Sequence, residues 1–190
     1  MPFLTTSPRS TDRPAVRRSE NSVVLTEAEI ATPLGPMMVL AGPDRLRLLE
    51  FTDRRGLDGE IRRLRQRLGA TIVPGRNDVT ESIAGEVAAY FAGTLGEFRT
   101  PFALTGSPFQ QAVWTELLRI PAGETRSYRE VAEAVGGAHK VRAAAGAVGA
   151  NQLAILIPCH RVIGSNGALT GYAGGLARKR WLLEHETGKK

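Results

Sequence analysis

Ser127-Tyr128-Arg129-Glu130-Val131-Ala132-Glu133-Ala134-Val135-Gly136-Gly137-Ala138-His139-Lys140-Val141-Arg142-Ala143-Ala144-Ala145-Gly146-Ala147-Val148 is the stretch that decides the fold. It opens with a capping box: a Ser127 N-cap and Glu130 three residues on can each satisfy an amide left free at a helix start. A short helix through Val131, Ala132 and Val135 is predicted, ended by Gly136-Gly137. A second helix begins near His139 and runs to Val148. Helix, glycine turn, helix is the outline of a helix-turn-helix. Ala143, Ala144, Ala145, Gly146 and Ala147 leave the second helix almost without side-chain bulk. One face can then pack closely on another helix, and a smooth face can enter a narrow groove.

Upstream, Ser107-Pro108-Phe109-Gln110 combines an N-cap serine, proline at the first helical position and glutamine three after the cap. The predicted helix carries Phe109, Val113, Trp114, Leu117 and Leu118 and closes at Pro121-Ala122-Gly123. Downstream, Leu153 to Ile157 reads as a short buried strand ended by Pro158, which cannot donate to a ladder. Cys159, the only cysteine in the chain, follows it. A lone thiol is either core filling or a reactive group. His160 and Arg161 beside it favour the nucleophilic thiolate, and Cys159 is read as functional.

Nearer the amino terminus, residues 1–22 are rich in Ser, Thr, Pro and Arg and are predicted to form a disordered tail. Val23 to Leu25, Met37 to Leu40, and Leu46, Leu48 and Phe51 predict three strands of a short antiparallel sheet, with a turn at Thr32 to Pro36. Leu57, Ile61, Leu64 and Leu68 recur at helical spacing, leaving Arg62, Arg63, Arg65 and Arg67 on a solvated face. Another helix follows Asp78, expected to cap with Glu81, and buries Val79, Ile83, Val87 and Phe91. The resulting division is tail 1–22, α/β domain 23–92, linker 93–106 and carboxy-terminal domain 107–190.

The chain of 190 residues carries a formal net charge of +6, which suits a polyanionic partner such as DNA. No apolar run reaches membrane-span length and no signal-like segment stands at the start, so no membrane association is expected. One cysteine excludes an intramolecular disulfide and a cysteine-based metal site, which points to a reducing cytoplasm, no metal and no cofactor.

Pro158-Cys159-His160-Arg161-Val162, then Ile163-Gly164 and Gly171-Tyr172-Ala173-Gly174-Gly175, resembles the O6-alkylguanine-DNA alkyltransferases, in particular their bacterial single-protein form. The resemblance runs from about Ile30 to Glu186 and is densest after Phe109. It implies an α+β fold, with a ribonuclease-H-like α/β domain followed by a winged-helix-like helical domain containing the helix-turn-helix. It also implies direct-reversal repair by a monomer on double-stranded DNA. O6-alkylguanine, and O4-alkylthymine with it, is flipped out through the minor groove, and the alkyl group passes irreversibly to Cys159 in a single turnover.

The same resemblance assigns residues. Arg142 replaces the flipped nucleotide, on a groove-facing helix with Ala143, Ala144 and Gly146. Tyr128 donates to the purine ring nitrogen N3. Asn151 ties the helix to the active-site backbone, and Gln152 stands where the family usually carries proline. Val162, Tyr172, Ala173 and Gly174 wall the alkylguanine pocket. In an extended segment Cys159 and His160 diverge, so a water is expected between them. Glu186 shares a helical face with Leu182 and Leu183, and a buried carboxylate there needs a partner, which His160 can be. His185 is expected at the surface and Arg161 as a local anchor. A noncatalytic lesion-binding sensor or a helix-turn-helix regulator remains the alternative reading.

Overall fold

Alternating apolar residues build the amino-terminal half around a four-stranded sheet in this computed structural model, which describes residues 23–188. The tail expected over residues 1–22 lies outside the described residues. β1 (Val24–Ile30) pairs antiparallel with β2 (Met37–Ala41), and β2 with β3 (Leu46–Phe51). After α1 (Leu57–Leu68) a fourth strand, β4 (Thr71–Pro74), runs parallel to β1. The sheet is therefore mixed, not antiparallel as expected. Only four residues long and mostly exposed, β4 carries too little alternation to be read; α1 returns the chain to that edge.

α2 (Asp78–Phe91) begins at the residue predicted to cap it, and its cap is Asn77, one residue earlier. Asn77 and Thr80 form the capping box: Thr80 N–H donates to Asn77 Oδ1 at 2.9 Å, and Asn77 N–H to Thr80 Oγ1 at 2.8 Å. The Asn77 amide also donates to Thr26 and Gly42, so the cap fastens α2 to the sheet, a task Asp78 at the first helical position cannot perform. Residues 93–106 are more than a tether. Leu46 N–H donates to Pro101 O at 2.8 Å and Ala103 N–H to Leu46 O at 3.0 Å, covering the free edge of β3.

The second half contains α3 (Pro108–Leu117), α4 (Tyr128–Ala134), α5 (Val141–Gly149) and α6 (Leu176–Glu186), with β5 (Arg126–Ser127) parallel to β6 (Val162–Ile163). Both capping boxes expected at Ser107 and Ser127 form. Leu118, expected in the stripe of α3, is 40% exposed because it lies past the helix end. Trp114 Nε1–H donates to Ala147 O at 2.8 Å and locks α3 to α5.

One sheet face, with Leu25, Leu40 and Leu48, packs on Leu57 and Leu64 of α1. The other, with Val39, Leu49 and Phe51, joins α2, α3 and α5 in a single hydrophobic cluster that reaches Cys159. Leu153 to Ile157 lies wholly inside that cluster, yet it is a turn and not the predicted strand. Ile157 N–H closes on Leu153 O at 2.8 Å, and Ile155 adopts φ 71°. An apolar run reports burial without distinguishing a ladder from a turn. A β-branched residue in the left-handed region costs about 1–2 kcal/mol, offset here by complete burial.

Candidate active site

Cys159 opens a 3-10 turn, Cys159–Arg161, and not the extended segment expected for it. The thiol is buried, and its sulfur lies 3.1 Å from Asn151 Nδ2. That amide also donates to Ile157 O at 2.9 Å, while Asn151 Oδ1 accepts from Leu153 N–H at 3.0 Å. One side chain thus stitches the end of α5 to the turn that presents the cysteine. Burial pushes the thiol up to about 11; the Asn151 bond works the other way. At neutral pH the resting group is a thiol.

His160 is fully buried, with Nε2 2.8 Å from Glu186 Oε1. Burial depresses its basicity against the opposing pull of Glu186. The ionised carboxylate only accepts, so Nε2 carries the hydrogen and Nδ1 of the neutral ring presents a lone pair. Nδ1 is buried and has no protein partner. The arrangement is an oriented base.

Glu186 is better held than its helical spacing implied. Arg161 donates from Nε to Oε2 and from Nη2 to Oε1, each at 2.8 Å, and Tyr90 O–H donates to Oε1 at 2.8 Å. Gly123 N–H adds a longer bond at 3.3 Å. Burial works to raise this carboxyl, but the His160 and Arg161 donors outweigh it and hold it far below the usual range. Tyr90 was missed, although it falls on the buried stripe of α2 with Val79, Ile83 and Val87. His185 is half-buried and not free at the surface. Its Nε2–H donates to Tyr90 O at 2.7 Å and its ring stacks on Trp181, because α6 packs against the end of α2.

Tyr128 O–H donates to Gly171 O at 2.9 Å and Thr170 O at 3.2 Å, and burial raises its pKa. A Cβ on Gly171, whose φ is +54°, would stand 2.9 Å from the Tyr128 hydroxyl, so a side chain there would press on that hydroxyl from a backbone conformation that favours glycine. Tyr172, Ala173 and Gly174 line a small cavity with Cys159, Asn151 and Glu50; the Tyr172 hydroxyl is buried without a partner. Val162 does not line it: fully buried, it offers its carbonyl to the Lys179 ammonium. Lys179, also unread from sequence, is fully buried and donates to Thr170 O at 2.6 Å; burial draws it down to about 8.

On α5, Arg142, Ala143 and Gly146 are exposed, whereas Ala144, expected beside them, is fully buried. Helical spacing places Ala144 with Ala147 and Val148 against the core. An open groove bordered by Tyr128, Arg142, Ala145, Gly171 and Tyr172 runs along this helix and shares Gly171, Tyr172 and Ala173 with the cavity that holds Cys159.

A mixed fold thus brings a small-residue helix at the edge of a groove together with a buried cysteine whose neighbour is an oriented histidine. The profile of the 6-O-methylguanine DNA methyltransferase DNA-binding domain matches residues 108–188. A Salmonella typhimurium methylated-DNA–protein-cysteine methyltransferase is 42% identical over 170 residues, covering 85% of this chain and 95% of the relative. One from Mycolicibacterium paratuberculosis is 49% identical over 163 residues, covering 83% and 89%. The crystal structure of Mycobacterium tuberculosis OGT in complex with DNA superposes with TM-score 0.73 at 40% identity, covering 88% of this chain and 94% of that one. The chain belongs to the methylated-DNA–protein-cysteine methyltransferase family.

Proposed function

We propose that this protein repairs duplex DNA by taking the alkyl group of O6-alkylguanine, and of O4-alkylthymine, onto Cys159 once and for good. The observation that carries this reading is the cysteine's setting: sulfur on the Asn151 amide, beside a neutral imidazole whose Nδ1 is free to take a proton. Cys159, His160, Glu186, Asn151 and Tyr128 are the reacting and supporting groups. α5 lies in the minor groove on its Arg142, Ala143 and Gly146 face, and Arg142 fills the space of the flipped nucleotide. Unstacking costs on the order of a few kcal/mol, less for a damaged pair.

In the bound state the thiol proton passes to His160 Nδ1 through a water. The sulfur attacks the alkyl carbon, the C–S bond forms and the C–O6 bond breaks with its electron pair moving onto the purine. Tyr128, turned from the loop carbonyls toward ring nitrogen N3, supplies the proton that makes guanine a good leaving group. The Tyr172, Ala173 and Gly174 loop encloses the base. A thioether has no easy way back, and the sequence holds no second thiol to receive the group.

The reading extends to a ribonuclease-H-like domain over 23–92, a segment 93–106 and a winged-helix-like domain over 107–190. We take the protein to act as a monomer in the bacterial cytoplasm; no helix among the described residues is long and apolar enough to cross a membrane. Intact mass after mixing with a duplex carrying one O6-methylguanine tests the chemistry. One added methyl group on Cys159, lost in Cys159→Ser, is expected. Tight lesion binding with unchanged mass would make the protein a noncatalytic sensor.

A further inference from the structure

Two buried side chains of the amino-terminal half reach across to the hinge that carries Asn151. Glu60 on α1 accepts from Gln152 Nε2 at 2.6 Å, its second oxygen pairing with Arg63 at 2.7 Å. Arg54, between β3 and α1, donates from Nη2 to Gly149 O at 3.1 Å, and its Nε lies 3.7 Å from Glu50 Oε2. Between these grips, Leu49 N–H donates to Gln152 O at 2.9 Å and Ala154 N–H to Leu49 O at 2.8 Å. Glu50, Arg54, Glu60 and Gln152 are all buried.

Burying a carboxylate and a guanidinium is costly unless partners are exact in place. Here they reach the two ends of one four-residue segment, Glu60 meeting Gln152 and Arg54 meeting Gly149 O through Nη2 alone, its Nε and Nη1 being buried without a hydrogen-bond partner. Proline would fix the backbone φ after Asn151 by itself; glutamine leaves it free to turn. A charge-assisted bond from the same residue to Glu60 restricts it again. We infer that Arg54 and Glu60 are positioning residues, gripping the Gly149–Gln152 hinge from the amino-terminal half and thereby holding the Asn151 amide on the Cys159 sulfur. The inference rests on Cys159 as the reacting group, and its test does not need the lesion.

The test is the rate of S-alkylation of Cys159, the only thiol, by iodoacetamide over a neutral-to-alkaline pH series. The charged and titratable groups around the thiol stay as they are: Glu50 on β3, Arg54 after it, Tyr128 on α4, His160, Tyr172 in the loop and Lys179 on α6. Gln152→Leu is expected to move the midpoint up by about one pH unit, about a tenfold slower reaction at neutral pH. Glu60→Leu is expected to do the same, and Glu60→Gln, which keeps an acceptor, to recover most of the loss. Should a single variant unfold around an unpaired partner, Glu60→Leu/Gln152→Leu removes both groups together and keeps the core apolar. A folded double variant with the shifted profile supports the grip, and one with the wild-type profile overturns it. Methyl uptake from lesion DNA is scored separately: normal thiol profiles without uptake sink the repair reading and leave the grip standing.

Discussion

At Cys159 and His160, burial works on both groups in the same direction, toward neutrality. The thiol is raised and the imidazole lowered, so at rest neither is charged, and Glu186 is the fixed charge that orients the imidazole. Such a pair reacts when substrate excludes water and offers somewhere for electrons to go. Glu50 adds a titration of its own, because burial lifts it to about 7 from 4.5 against the pull of Arg54. A raised folded-state value favours the folded protein below about pH 4.5, and that contribution is lost as pH rises through about 7. Glu50→Gln, which does not titrate, should therefore gain on wild type by about 3 kcal/mol at most between those limits. Urea unfolding at several pH values checks this; parallel stability curves would mean Glu50 is not buried as a titrating acid.

At the level of elements, α5 has two faces with opposite demands. Ala144, Ala147 and Val148 are buried against the core, while Gly146 has nothing within 4 Å of where its Cβ would stand. Gly146→Leu is expected to hold or raise stability, by up to about 1 kcal/mol, because glycine is a poor helix former. The same change puts bulk on the face assigned to the minor groove, so duplex affinity should fall. Thermal unfolding and a fluorescence-anisotropy titration together test the assignment. Loss of affinity from instability alone, or no loss at all, would remove α5 from the groove.

Across the whole molecule, a single apolar cluster links β3 and α2 to α3, α5 and the cysteine turn. A fragment starting at Ser107 would uncover the surfaces that Leu49 and Phe51 now cover. It is expected to bind a hydrophobic dye and to unfold without the cooperativity of the full chain, even though it contains every residue assigned to alkyl transfer. A fragment as cooperative as the full chain would mean that the shared core is dispensable.

Much of this was legible in the sequence. The Ser107 and Ser127 capping boxes, the α1 stripe and the small-residue helix depend on spacings within one or two turns, where a hydrogen bond or a shared face is decided locally. Cys159, His160, Asn151 and Glu186 were singled out through a motif and a likeness. Other features required distance: Tyr90 to Glu186, Gln152 to Glu60, Lys179 to Thr170, and the turn at Ile155 in place of a strand. Local chemistry determines which groups need partners once buried. Only the packing of elements far apart in the chain decides which partner each one meets, because burial removes water as the alternative.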